Sequence, residues 1–510
     1  MLPVSYISYF APEILITAWA MVLLLLEAFL ALSPRYVASL ALAGIVSVAL
    51  VTLCFATPPP DTGSYLFWGN LCKWDGAAKF FHLFFLAVAA LVIWMGDEVQ
   101  EPVPHGGGEF VILPLFTTAG LMLLASANDF ILLFVALELV TISFYILVAY
   151  QRRSLVALEA GVKYLILGGL SSAFLVMGVA YIFGLTGTTR FDLIWTYLHQ
   201  HGLPTGVGFG LLLVLTGIGF KIAMVPFHSW APDVYEGAPN SITAFLSVGS
   251  KAGGLIILMR IVLGVFNNPA SSAVWIPLLT IGAILSLLLG NLAAIPQRNL
   301  KRMLGYSSIG HTGFILVAVI GASASLTGKI EFLNSDVATG QVAVTVYLVS
   351  YLLATFTAFI VLAVLERRLP GLEIHHLAGL SQRSPLLAAA FALSLVSLAG
   401  VPPLSGFMAK FYVVLVAWNR GLYTLLFFTI FAAVAALYYY LGPIKAMYWS
   451  EPLDETPIRI NRPTTAVLAV LITLLILTGF WAQSMAPFVN GSNIAQNGSV
   501  SATVALVRQH

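Results

Sequence analysis

Long apolar runs alternate with short polar connections along the whole chain, and most runs are long enough to cross a lipid bilayer. In order they fall near 11–32, 37–57, 77–95, 110–127, 129–149, 156–185, 206–226, 239–264, 273–294, 303–322, 340–365, 385–418, 421–447 and 464–486. A bilayer core takes about 20 apolar residues per helix, so the pattern predicts an all-α polytopic membrane protein of about 14 transmembrane helices. Closed barrels are excluded, because their strands alternate over about ten residues whereas these runs are continuously apolar. Composition agrees: 60% of residues are hydrophobic and 9% charged, where a soluble domain carries about 25% charged. The first run, 11–32, lacks a basic lead-in and a small-residue cleavage site, so it reads as a retained span rather than a signal peptide.

Against this background a few charged residues stand out. Lys221 follows the run that begins near Gly206, Pro226 comes five residues later, and Lys251 lies well inside the next run. A lysine at the centre of a membrane helix costs about 2.5–3.5 kcal/mol on insertion scales, so two on successive spans need partners or water inside the bundle. Snorkelling to an interface suits Lys221, near a helix end, better than Lys251. Proline removes a backbone donor and clashes with the preceding turn, so the span carrying Lys221 is expected to break at Pro226. Lys410 lies about two turns past the interruption LAGVPPLSG, with at least eight apolar residues after it. Together these lysines read as an ion path.

Glu138, in FVALELVTISF, has no opposite charge within four positions, and Lys221 is its expected partner from another helix. Glu159 and Lys163 stand four apart on one helix face, where a structural pair and a relay are equally good readings. Lys163 is placed to swing between Glu159 and another acid. His228 and His311 lie at or inside apolar runs, where a proton path and a hydrogen-bonded structural role are equally good readings. Asp233 and Glu236 are expected to be solvated or helix-capping, with a path mouth as the alternative. Arg298, Lys301 and Arg302 read as a cytoplasmic anchor rather than a site.

Basic residues set the orientation. Loops after odd-numbered spans hold Arg35, Arg152, Arg153, Arg298, Lys301, Arg302, Arg367, Arg368, Arg383, Arg459 and Arg462. Loops after even-numbered spans and the tail hold fewer: Lys73, Lys79, Arg190, Lys329, Arg420 and Arg508. Both termini are therefore expected outside, periplasmic in a bacterial inner membrane. A net charge of +2 points to no nucleic-acid partner, and the two cysteines, Cys54 and Cys72, are spaced for neither a metal site nor a disulfide framework. No phosphate-binding glycine loop follows a strand, and no nucleophile–base pair can be argued, so the energy that drives ions must enter from another protein.

The chain also echoes itself. Tyr145-Ile-Leu-Val-Ala-Tyr150 reappears as Phe314-Ile-Leu-Val-Ala-Val319, and VPFHS at 225–229 has a counterpart in VPPLS at 401–405. Proline breaks at corresponding positions in two halves point to inverted repeats. The expected organisation is three N-terminal helices in 1–109, a first repeat of helices 4–8 in 110–265, a second of helices 9–13 in 266–450, and a last helix with a polar tail in 451–510.

The set LEAGVKYLILGG, GFKIAMVPFHSWAPDVYEGAP, VGSKAGG, LKRMLGYSSIGHTGF and GVPPLSGFMAKFYV resembles the antiporter-like membrane subunits of respiratory complex I. VPFHSW followed by the Tyr-Glu-Gly-Ala-Pro run favours the N type (type 2 in mitochondria) over its L and M paralogues. The resemblance is dense over roughly 110–450 and loose in the first three spans and the last. It implies a proton-translocating subunit of an NADH–quinone oxidoreductase with two inverted five-helix repeats whose helices 7 and 12 are broken. By position it assigns Glu138 to helix 5, Lys163 to helix 6, Lys221 to broken helix 7, Lys251 to helix 8 and Lys410 to broken helix 12. In that picture the Glu138–Lys221 pair opens and a proton passes through Lys251 toward Lys410. It further implies that the chain binds no cofactor, the NADH, FMN, iron–sulfur clusters and quinone being handled by other subunits, and that its neighbours are other membrane-arm subunits of M and K type. Two rivals remain: a subunit of a multisubunit cation/proton antiporter, and a passive scaffold whose polar residues only bind helices together.

Overall fold

The computed structural model describes residues 4–30, 32–55, 64–98, 107–323, 340–369, 371–452, 454 and 456–480. The first helices are α1 (Val4–Leu30), α2 (Pro34–Phe55), α3 (Gly76–Glu98), α4 (Gly107–Ser126), α5 (Phe130–Val148) and α6 (Leu155–Thr186). A short α7 (Phe191–His201) precedes α8 (Thr205–Lys221) and α9 (Trp230–Gly237). Then come α10 (Asn240–Val265), α11 (Pro269–Ala294), α12 (Leu300–Gly321) and α13 (Gly340–Glu366). The chain ends with α14 (Pro385–Ala399), α15 (Ser405–Asn419), α16 (Tyr423–Trp449) and α17 (Arg462–Phe480). Among the described residues twelve helices are long and apolar enough to cross a membrane, and two further spans are each built from two pieces, α8 with α9 and α14 with α15. This matches the run pattern, including both breaks. Between α2 and α3 lies a hairpin that the sequence reading took for a connection, β1 (Ser64–Phe67) paired antiparallel with β2 (Cys72–Asp75). The end of the last predicted run and the polar tail, with the residues of the 96–109 loop numbered 99–106, lie outside the described residues.

Helix ends are set by local chemistry. Asp129 caps α5 through Ile131 N at 2.7 Å, Asn268 caps α11 through Ser271 N at 2.8 Å, and Asn299 caps α12 through Lys301 N at 2.9 Å. Hydrocarbon offers backbone groups no partner, so the spans are helices that pair their own peptide groups. At the break between α8 and α9 the freed groups find other partners. Trp230 Nε1 donates to the Phe220 carbonyl at 2.9 Å, the Val225 amide donates to Ser286 Oγ at 3.0 Å, and Thr312 Oγ1 donates to the Ile222 carbonyl at 2.6 Å.

Without a hydrophobic drive between helices in lipid, close approach rests on small residues. α11 crosses α12 at Gly290, where an added Cβ would lie 2.3 Å from the Gly310 backbone nitrogen. α6 crosses α8 at Gly178 in the same manner, 2.5 Å from the Gly210 carbonyl oxygen. α10, α12 and α13 are almost wholly enclosed, while α6, α16 and α17 turn long apolar faces outward. The enclosed α10 and α12 carry Lys251, Arg260, Lys301 and His311.

Candidate functional site

The three central lysines are all buried, with Lys221 at 6%, Lys251 at 3% and Lys410 at 7% exposure. Each is held by oxygen atoms rather than by an acid. Lys221, the last residue of α8, donates to Thr141 Oγ1 on α5 at 2.6 Å. Glu138, half-buried one turn earlier on α5, accepts from Ser172 Oγ on α6 at 2.5 Å. The expected Glu138–Lys221 ion pair is not among the close contacts of the described residues; each side chain is instead held by a hydroxyl. Lys251 donates to the Ser308 carbonyl on α12 at 2.6 Å and to the Ser308 hydroxyl as well. Lys410 donates to the Ala399 carbonyl at 2.8 Å, and its ammonium lies 4.7 Å from the centre of the Phe314 ring. Ala399 ends the first half of the broken span, so its carbonyl belongs to the negative end of a half-helix, a natural seat for a cation.

Polar atoms link these stations. The Thr312 hydroxyl, 2.6 Å from the Ile222 carbonyl, also lies 3.2 Å from the Ser308 carbonyl that holds Lys251. Beyond Ser308 the hydroxyl of Tyr235 follows at 2.7 Å, and Tyr351 reaches Ser247 at 2.6 Å. His311, 5% exposed, bonds Tyr347 through Nδ1 at 2.6 Å and Tyr440 through Nε2 at 3.2 Å. Between His311 and Lys410 lies a cavity of about 10 Å³, lined also by Tyr347, Tyr351 and Ser397, enough for a single water. A second of the same volume is lined by Ser247, Ser307, Tyr351 and Thr355. Tyr351 borders both, so hydroxyls, an imidazole and water-sized space run from Lys251 to Lys410. Sequence reading found the lysines and His311 but missed the tyrosines, which look like ordinary aromatic packing residues until the helices are assembled.

Gly400, at the break before Lys410, has φ +87°, and a Cβ there would lie 2.7 Å from Lys410 Cδ. Gly400→Ala is expected to destabilise by about 1–2 kcal/mol through its left-handed backbone and to displace the Lys410 side chain. A lower thermal midpoint together with impaired turnover of the purified assembly is the expected reading.

The remaining site residues lie elsewhere. Lys163 is substantially exposed and bridges Glu159 and Asp233, both at 2.7 Å. Asp233 also receives Arg302 at 2.7 Å, and Arg302 reaches Glu236 at 3.0 Å. Asp233 and Glu236 are thus ion-paired rather than simply solvated, and Arg302 serves them. Lys301 is buried, donates to the Ala238 carbonyl at 2.7 Å and pairs loosely with Glu366 at 3.9 Å, so it is not a surface anchor. His228 lies half-buried in the break after Lys221, its Nδ1 buried without a partner, and is not joined to the lysine row by any hydrogen bond among the described residues.

A second polar cluster was not anticipated. Arg260 on α10 forms a two-pronged ion pair with Asp75 of β2, at 3.0 and 3.1 Å, and donates to the Ala125 carbonyl at 2.7 Å. Beside it, Glu13 and His82 are completely enclosed. An arginine inside the 239–264 run and a glutamate inside the first run were the signals available.

A fourteen-span bundle with two broken spans and a buried row of lysines defines an antiporter-like membrane subunit. The chain belongs to the NADH:quinone oxidoreductase/Mrp antiporter transmembrane family, whose profile matches residues 127–436. It is 38% identical over 475 residues to NADH-quinone oxidoreductase subunit N of Rhodospirillum rubrum, covering 91% of this chain and 93% of that one. A chain of respiratory complex I from Thermus thermophilus superposes with a TM-score of 0.76 at 30% identity, covering 93% of this chain and 98% of the other. A chain of the Mrp complex from Dietzia sp. DQ12-45-1b superposes with a TM-score of 0.83 at 19% identity, over 97% and 98% of the two chains, and shows the shared fold alone. The N-type resemblance read from the motifs is borne out.

Proposed function

We infer that this chain is the N-type, proton-translocating membrane-arm subunit of an NADH–quinone oxidoreductase, coupling redox chemistry in other subunits to proton movement. The observation that carries the mechanism is the enclosed polar row: Lys221 on Thr141, the Ile222 carbonyl on Thr312, Lys251 on Ser308, then His311, Tyr351 and the water-sized space at Lys410. Isolated charges in hydrocarbon are too costly to keep without use. Glu138, Lys221, Lys251, His311 and Lys410 pass the proton, with Ser172 and Thr141 holding Glu138 and Lys221 apart until charge moves along the arm. His228, in the break after Lys221, and the Lys163–Asp233–Arg302 network serve the approach to the row. Residues 110–265 and 266–450 act as inverted repeats, a reading supported by one broken span in each, with 1–109 and 451–510 flanking them.

The chain works in a bacterial inner membrane with both termini on the periplasmic face, between M-type and K-type neighbours. NADH, FMN, iron–sulfur clusters and quinone bind in other subunits; among the described residues no group of three or more His, Cys, Asp or Glu is placed to hold a metal. The test is Lys221→Ala and Lys251→Met in the assembled complex, read as NADH-driven proton uptake in inverted vesicles. Loss of about 100-fold is the scale for a positioned proton-transfer group. Unchanged uptake in both would leave a scaffold, and co-purification with small antiporter subunits in place of dehydrogenase subunits would assign the rival assembly.

A further inference from the structure

The lysine row does not use the buried groups of the N-terminal block. Glu13 on α1 is 2% exposed and His82 on α3 is 0% exposed. Glu13 Oε1 accepts from Ser126 Oγ, the last residue of α4, at 3.0 Å, and lies 3.4 Å from His82 Nε2. His82 Nε2 is also 3.0 Å from the Met122 carbonyl. A carbonyl only accepts, so Nε2 carries the hydrogen and Nδ1 is the bare ring nitrogen. Both Nδ1 of His82 and Oε2 of Glu13 are buried with no partner. A buried polar atom left unmade costs about 1–3 kcal/mol, and here two sit on one pair of titratable side chains.

We propose that Glu13 and His82 form a second proton-binding site, beneath the hairpin and separate from the lysine row. The groups that face it come from neighbouring elements: Ser126 from α4, Arg260 from α10, and Asp75 and the Cys72 thiol from β2. Arg260 and Asp75 neutralise one another across their paired contacts, so the site's own charge is set by Glu13 and His82. Loaded, the site is neutral overall: the proton sits on the Glu13 carboxyl beside a neutral imidazole, or on His82 Nδ1 beside a carboxylate. Unloaded, a Glu13 carboxylate faces neutral His82, held by the Ser126 hydroxyl. A metal cation is the wrong occupant, because the ligands are too few and the Arg260 guanidinium acts on His82. Trp74 packs edge-on against the His82 ring with centroids 4.9 Å apart, closing the site on the hairpin side.

The proposal needs only proton binding, so it can be tested without turnover and stands or falls apart from the pumping role. Infrared spectra of the purified complex, with glutamate carboxyls isotope-labelled, are expected to show a protonated-carboxyl band that bleaches as pH is raised. Glu13→Gln should remove that band, and His82→Gln should move the pH at which it bleaches. A band set and titration in Glu13→Gln identical to the parent would overturn the proposal. If Glu13→Gln does not assemble, Ser126→Ala decides: removing the hydroxyl that donates to Oε1 must shift the carbonyl frequency, and a spectrum unchanged in Ser126→Ala would overturn the proposal as well.

Discussion

Lys410→Arg is expected to assemble normally and yet lose most coupled proton uptake, about as much as Lys410→Ala. A lysine ammonium can release and regain a proton, whereas arginine keeps its charge at every working pH. The surroundings sharpen the expectation. Lys410 is held by one carbonyl, Ala399 at 2.8 Å, and borders a cavity with room for one water. A guanidinium there would find no carboxylate to match its fork and would remain a fixed charge beside His311. If Lys410 were only an electrostatic anchor, arginine would rescue what alanine loses. The measurement is NADH-driven quinone reduction and proton uptake in inverted vesicles, with complex content checked on native gels; full activity of the arginine variant would remove Lys410 from the path.

The largest stability effect is expected at Arg260. Its partner Asp75 is 1% exposed and also accepts from the Ala78 amide at 2.8 Å, helping to start α3. Removing one member of a buried ion pair strands the other and costs about 3–5 kcal/mol, whereas replacing both with uncharged groups is often close to neutral. Arg260→Met should therefore sharply reduce assembled complex. Asp75→Asn combined with Arg260→Met should recover much of it, because asparagine keeps an oxygen for the Ala78 amide. A double variant as depleted as the single one would mean that the Arg260–Ala125 contact carries the effect. Asp75 lies in the hairpin, outside the spans, and although burial alone would raise its carboxyl, the neighbouring Arg260 and Lys73 hold it below the usual carboxylate range. The attraction that depends on its charge is present above that ordinary range and weakens as pH falls through the lowered value, so acid should selectively loosen the N-terminal block.

Much of this was legible in the sequence because lipid imposes one rule on every span. Continuous apolar runs gave the helices to within a few residues, and Pro226 and the Pro402–Pro403 pair marked both breaks. Lys221, Lys251 and Lys410 stood out because charge in hydrocarbon is rare. What could not be read were relations between helices. Ser172 and Thr141 are unremarkable in an apolar run, yet they are the partners of Glu138 and Lys221. Tyr347, Tyr351 and Tyr440 resemble packing residues until His311 is seen between them. Arg260 and Glu13 were visible as charges but sat outside the motifs that drew attention, and their partners arrive from β2, α3 and α4. Lys301 looked interfacial because its neighbours Arg298 and Arg302 are basic, and only the fold shows it turned inward to the Ala238 carbonyl.

The crossing of α11 and α12 at Gly290 and Gly310 has a consequence for how protons are passed. With backbone against backbone, α12 has no side-chain cushion on which to slide or roll, so it behaves as a stator. Ser308 and His311 flank that crossing on the same helix, which fixes in space the acceptor of Lys251 and, in the proposed relay, the imidazole across the cavity from Lys410. Motion must then come from the donors: Lys251 and Lys410 sit at the ends of four-carbon arms on other helices, and a swing of either arm changes its partner without moving the frame. On this account the switch is made of lysine rotamers turning against a stationary post, and a large helix displacement is not needed to open or close the path.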